Sequence, residues 1–241
     1  MALDRRKTDI VPAALSQAET LRILEDHNNA AREELASRTD AAPEVLFFRS
    51  SEGSIKARRA IARNTTTPAQ ANRLLAEDTD EEVRSELARK IGRLIPDLPE
   101  DASEKMRALT IETLERLAED QLPRVRRILA EEIKALDCVP KRVIDMLARD
   151  VEETVAAPIL EYSPLLSDAD LVDIISSSQA RFTLTAIAAR KPLSANVSDA
   201  IATALDVPAV AALLANSTAQ IREQTLEKII DHGARDRKSV G

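Results

Sequence analysis

Apolar positions along the chain recur at helical spacing, and one nine-residue phrase returns nearly unchanged. Val83-Arg84-x-x-Leu87-Ala88-x-x-Ile91 reappears as Val125-Arg126-x-x-Leu129-Ala130-x-x-Ile133, and more loosely as Ile221-Arg222-x-x-Thr225-Leu226-x-x-Ile229. The spacing puts the apolar residues on one stripe of a helix. Eight residues before each opening Val or Ile stands Leu75, Leu117 or Leu213, and five before stands Asp78, Asp120 or Asn216. The repeating unit is therefore two helices and the turn between them. A degenerate copy keeps Leu147, Asp150, Val155 and Ile159, with Ala156 in place of Arg and with Pro158, which is expected to kink or shorten its helix. Weaker copies surround Ile55–Arg63, with Ala60 in register, and Phe182–Arg190, with Ile187 in register. The anchors fall at 55, 83, 125, 155, 182 and 221. One such unit cannot bury its stripe alone, so the pattern predicts an all-α, right-handed α-solenoid of about six helical pairs.

Prolines and caps support the same division. Pro43, Pro68, Pro123, Pro140 and Pro208 each precede an apolar-periodic run and read as helix starts. Ser16–Glu19 and Thr67–Gln70 match the capping box, with Ser167–Asp170 a weaker relative, and Gly233 is expected to close the last helix. Residues from Ser16 to Ser37 form an amphipathic helix, with Leu21, Leu24, Ala31 and Leu35 on one side, expected to cap the first repeat. The expected organisation is a disordered 1–15, a solenoid over 16–233 bending at the proline-containing stretch 95–103, and a flexible polar tail over 234–241.

Composition narrows the core and the partners. The chain is 44% hydrophobic but only 2% aromatic, with four glycines among 241 residues, so Leu, Ile, Val and Ala must build a closely packed helical core. The formal charge of −7 repels a polyanion taken as a whole. Cys138 stands alone, so no internal disulfide forms; Met1–Gln17 lacks an apolar signal region, and no run approaches a membrane span. A soluble cytoplasmic protein is expected.

The Val-Arg-x-x-Leu-Ala-x-x-Ile phrase resembles HEAT-like repeats. The stretch Leu147–Val172, together with Ala186–Arg190, Val197–Ala200 and Leu213–Asn216, is similar to a proteobacterial domain-of-unknown-function family, number 2336, over roughly residues 70–230. The HEAT-like resemblance implies a ladder between turn aspartates and helix arginines of adjacent repeats. It would involve Asp78, Asp120 and Asp150 with Arg84 and Arg126; because Ala156 replaces the next Arg, Asp150 is expected to pair with Arg126 of the preceding repeat or with nothing. This is a structural role, since partly buried ion pairs fix register.

Candidate chemistry is sparse. His27 and His232 are far apart and one cysteine is present, so neither a catalytic triad nor a zinc cluster is indicated. Adjacent acids such as Glu81-Glu82 point about 100° apart on a helix, and no glycine-rich phosphate loop occurs. No cofactor, metal or enzymatic activity is expected. Lys56, Arg58, Arg59, Arg63, Arg84, Arg89, Lys90, Arg93, Arg124, Arg126, Arg127 and Lys134 give the early second helices a basic side, which Glu86, Glu131 and Glu132 are expected to neutralise locally. If Val83, Leu87 and Ile91 face inward, Ser85 and Arg89 face out, as do Arg127 and Glu131, Ala157 and Glu161, and Glu223 and Glu227. Ser85, Arg89, Arg127, Glu131 and Glu161 are thus the expected contacts of a protein or peptide partner on a groove of second helices running from basic to acidic. The leading expectation is a non-catalytic interaction scaffold. The alternative is a DNA-backbone-binding protein of the HEAT-like alkylpurine-glycosylase type, disfavoured by net acidity and few aromatics. A bilin-lyase role rests on fold analogy alone. Self-association through an uncapped solenoid end is compatible with the pattern.

Overall fold

A computed structural model describes residues 29–98, 103–178 and 180–239. Among the described residues there are fourteen α-helices and no strand beyond one isolated bridge, Leu193 to Ala219. In order they are α1 (Asn29–Ser37), α2 (Pro43–Glu52), α3 (Ile55–Arg63), α4 (Ala69–Leu75), α5 (Glu81–Leu94), α6 (Glu104–Ala118) and α7 (Pro123–Ile133). There follow α8 (Lys141–Ala148), α9 (Glu153–Tyr162), α10 (Asp168–Ser177), α11 (Arg181–Ala188), α12 (Ala195–Ala204), α13 (Val207–Ala215) and α14 (Glu223–Ser239). The expected disordered 1–15 and most of the Ser16–Ser37 helix, with His27 and the Ser16 capping box, lie outside the described residues.

The chain divides into two compact units, residues 1–125 and 126–241, and the division falls inside α7; the stretch expected to bend, 95–103, opens as a 3-10 turn at Ile95–Asp97. In the first unit α1, α3 and α5 pack in succession, as do α2, α4 and α6, and each of α2, α4 and α6 also meets a neighbour of the other set. In the second unit α9, α11 and α13 form one succession and α10, α12 and α14 the other, with α8 against α9. Packing between elements two apart in sequence makes two layers, with the aliphatic stripes between them. Val83, Leu87, Leu114 and Leu117 in the first unit, and Leu147, Val155, Ile159, Ile187 and Leu213 in the second, are wholly buried. Each such side chain contributes about 1.5–3 kcal/mol by leaving water.

This layering corrects the expected repeat frame at both ends. Ile55 is half exposed and Ala57 fills the position of Val83 instead; the equivalent residues are Ala57, Val83, Val125, Val155, Thr183 and Ala209, none more than 3% exposed. Ile221 precedes α14, and α14 packs on α12, in the succession of first helices, whereas α13 follows α11. The loose phrase at 221 was matched by composition and belongs to the other layer.

Local signals also shifted. Thr67 makes no capping box: α4 starts after Pro68, and the Thr67 hydroxyl turns back to donate to the Ile61 carbonyl at 2.8 Å. The Ser167–Asp170 box, by contrast, is complete in both directions. Gly233 lies inside α14, which runs on to Ser239 instead of ending in a tail. A glycine in a helix interior costs only about 1 kcal/mol relative to Ala, which the good helix formers around it offset. The left-handed cap belongs instead to Leu205, φ 54°, closing α12. Pro158 sits within α9 and has no N–H to offer the carbonyl of Thr154, an exposed residue four positions back.

Candidate functional site

The turns from first to second helix carry one recurring device. In each, an aspartate accepts the backbone N–H two residues on: Asp80 N–H to Asp78 Oδ1 at 2.9 Å, Leu122 N–H to Asp120 Oδ1 at 2.9 Å, and Glu152 N–H to Asp150 Oδ1 at 2.9 Å. This fixes the turn and leaves both oxygens available to an arginine from the preceding second helix. Arg58 Nε and Nη2 reach Asp78 at 2.6 and 3.1 Å, Arg84 reaches Asp120 at 2.6 and 3.2 Å, and Arg126 reaches Asp150 at 2.6 and 3.0 Å. The free Nη1 of Arg58 and Arg84 bonds the carbonyl at the base of its own helix, Gly53 and Asp78 respectively, each at 2.7 Å. The aspartate side chains are only 4–8% exposed. The structure therefore brings Arg84 to Asp120 and Arg126 to Asp150, and the partner of Asp78 is Arg58, a residue the repeat phrase did not mark. The series stops where both members change together: Ala156 replaces Arg, and Ser178 replaces Asp while still accepting the Ala180 N–H at 3.2 Å.

A second device had no sequence signal beyond its register. Seven residues after the buried anchor stand Asn64, Lys90, Arg190 and Asn216. Each donates to the carbonyls left open at the C-terminus of the neighbouring helix in its layer. Asn64 reaches Ala36 and Arg38 O at 3.1 and 2.7 Å, and Lys90 Nζ reaches Ile61 and Asn64 O at 3.3 and 3.1 Å. In the second unit Arg190 reaches Leu160 and Ser163 O at 2.6 and 2.8 Å, and Asn216 reaches Ala188 and Arg190 O at 2.9 and 2.6 Å. Lys90 also donates to Asn72 Oδ1 at 2.6 Å; its burial pushes the ammonium down to about 7. Three chemically unlike side chains share the position because each offers at least two N–H donors.

The expected partner-binding residues separate. Ser85 is a correction: it is 1% exposed, and its hydroxyl finds no partner. The reason is that α5 packs against α3, α4 and α6, so its buried surface is far wider than the one stripe from which Ser85 was placed outside. Arg89 is half-buried and donates to Glu86 at 2.7 Å. In the second unit Arg127 is exposed on α7, Glu131 is exposed and accepts from Lys134 at 2.8 Å, and Glu161 is half-buried beside Tyr162. Ala157 is half-buried, while Glu223 and Glu227 are exposed on α14 in the other layer.

The basic side is tied down mainly between helices rather than along them. Arg59 meets Glu82 at 3.5 Å and Arg63 meets Glu86 at 2.6 Å, from α3 to α5, while Arg124 meets Glu81 and Glu82 at 2.9 and 2.6 Å. Arg63 first, with Arg89 in support, holds the Glu86 carboxyl below the usual range. A cavity of about 290 Å³ opens beside this group, lined by Arg63, Thr65, Glu86, Arg89, Lys90, Arg93 and Leu94. Larger hollows lie at the turns: about 510 Å³ beside Arg84 and Asp120, and about 490 Å³ beside Asp150 and Ser178. Among the described residues no three His, Cys, Asp or Glu side chains are grouped to hold a metal ion, and no helix is long and apolar enough to cross a membrane.

Among the described residues the protein is all-α, with helices two apart in sequence packed in two successions within each unit. Residues 155–239 match the model of a family described as an uncharacterised protein conserved in bacteria (DUF2336). The match begins in α9 and runs through α14, narrower than the 70–230 expected at its start and longer at its end. Among curated proteins, none matches the chain.

Proposed function

We propose that the chain is a non-catalytic, cytoplasmic scaffold of the HEAT-like α-solenoid kind that binds a protein partner on the charged side of its second helices. The observation that carries this reading is the α3–α5 surface, where Arg59, Arg63, Glu82, Glu86 and Arg89 pair with one another at the surface instead of packing into the core. Such charges add little to stability when exposed, yet they give a partner electrostatic complementarity and orientation. Arg89 in the first unit and Arg127 in the second are the residues on which the test turns. Affinity capture from the bacterial host with the wild-type chain is compared with Arg89→Glu and Arg127→Glu. A partner held by the wild type should be lost or weakened about tenfold by a reversal, with unchanged circular dichroism. The same partner retained by both natively folded variants would reject the surface.

A further inference from the structure

We propose that the cavity between the C-terminal ends of α3 and α5 is a carboxylate-binding subsite that takes acidic side chains of a protein partner. This rests on the scaffold reading and names the chemistry it recognises. The walls hold Arg63 and Arg89 with a single acid, Glu86, between them, and Arg93 also lines the cavity. Glu86 is spread between two of them: Oε1 accepts from Arg63 Nη2 at 2.6 Å and Oε2 from Arg89 Nη1 at 2.7 Å, and its side chain is 11% exposed. One carboxylate cannot fill two forks. A guanidinium carries five N–H donors, and Arg63 and Arg89 each spend one nitrogen on Glu86, so donors remain at a site whose Arg63 side chain is 59% exposed. Glu82, one turn before Glu86 on α5, is engaged by Arg59 and Arg124.

Lys90 lines the floor without competing for the guest, because its Nζ donates to Ile61 O, Asn64 O and Asn72 Oδ1. Cations at helix C-termini are ordinary partners of the helix dipole, and Arg63 and Arg93 stand there. Arg89 lies a turn earlier, and the convergence of α3 and α5 arginines on one buried carboxylate is what makes a walled pocket. The occupant is an acidic peptide rather than a nucleic acid for two reasons. No aromatic side chain lines the cavity to stack a base, and the whole chain carries −7, which opposes a long polyanion but leaves a local positive pocket open to one or two carboxylates.

The test titrates hexaglutamate into the full chain labelled with 15N-arginine, following the Nε–Hε signals, with an oligothymidylate of equal charge in parallel. Hexaglutamate should shift the Arg63, Arg89 and Arg93 signals selectively, and binding should fall with salt over about 50 to 300 mM. Arg63→Gln combined with Arg93→Gln should weaken it about tenfold. No selective shift in the wild type overturns the subsite whatever the variants do; stronger binding of the oligothymidylate at the same arginines overturns the acidic-peptide assignment. Should hexaglutamate fail while Arg89→Glu still releases a captured partner, the subsite falls and the scaffold stands.

Discussion

Arg84 holds Asp120 across 36 residues of sequence, with Nε and Nη2 at 2.6 and 3.2 Å from the two carboxylate oxygens and the aspartate side chain 4% exposed. Removing the guanidinium strands a buried charge. Arg84→Met is therefore expected to cost about 3 kcal/mol, several times the worth of an exposed pair. Asp120→Asn in the same chain should recover part of the loss, since the amide oxygen still accepts the Leu122 N–H. Urea unfolding of the three variants measures the coupling; a cost for Arg84→Met below about 0.5 kcal/mol would show that the rung is only a surface pair.

The broken rung offers the converse experiment. Ala156 is fully buried and Ser178 keeps the aspartate's turn geometry, so Ala156→Arg and Ser178→Asp together recreate the missing pair. Ala156→Arg alone places a charge at a fully buried position without its partner and should destabilise, whereas Ser178→Asp alone, at an exposed turn, should be close to neutral. Combined, they should be better than additive by about 1–3 kcal/mol in a double-mutant cycle. Strict additivity would mean that these positions do not face one another as 84 and 120 do.

Asn64 and Asp78 look alike in sequence and do opposite work. The Asn64 amide donates to two carbonyls, so Asn64→Asp turns a lone pair on Ala36 O and Arg38 O and should cost about 3 kcal/mol, more than Asn64→Ala. Asn216→Asp should behave the same way, facing Ala188 and Arg190 O. Thermal melts of the Asp and Ala variants at both sites test this. Equal melting temperatures for each Asp and Ala pair would contradict the donor role.

Lys90 links stability to pH. Its folded-state value is about 7, against about 10.4 for an unfolded lysine, so between these the unfolded chain binds more protons. Stability then rises as pH climbs from about 7 toward 10. The wild type should gain on the order of 2 kcal/mol over that range relative to Lys90→Met, measured by denaturant midpoints. A pH-independent difference would place the Lys90 titration outside the window.

What the linear sequence determined was local: that the chain forms helices, where most begin, and that Val83, Leu87, Ile91 and their counterparts at 125–133 lie on the buried stripe. The turn aspartates were legible as a recurring position, and the HEAT-like resemblance implied their pairing with arginines, which the structure places 24 to 36 residues apart. Tertiary packing decided the rest. Ser85 is buried because three helices surround α5, a fact no single-stripe projection contains. The phrase at Ile221 entered the other layer because layer membership follows from which helix is covered on both sides. The donors at 64, 90, 190 and 216 share no residue type, only the task of reaching carbonyls on a neighbouring helix. The basic cavity of Arg63 and Arg89 exists only because α3 and α5 lie side by side, bringing Arg63 to the carboxylate of Glu86, 23 residues further along the chain. Periodicity encodes which face of a helix is apolar, but only the packed neighbours determine how many faces are covered and which distant charges meet.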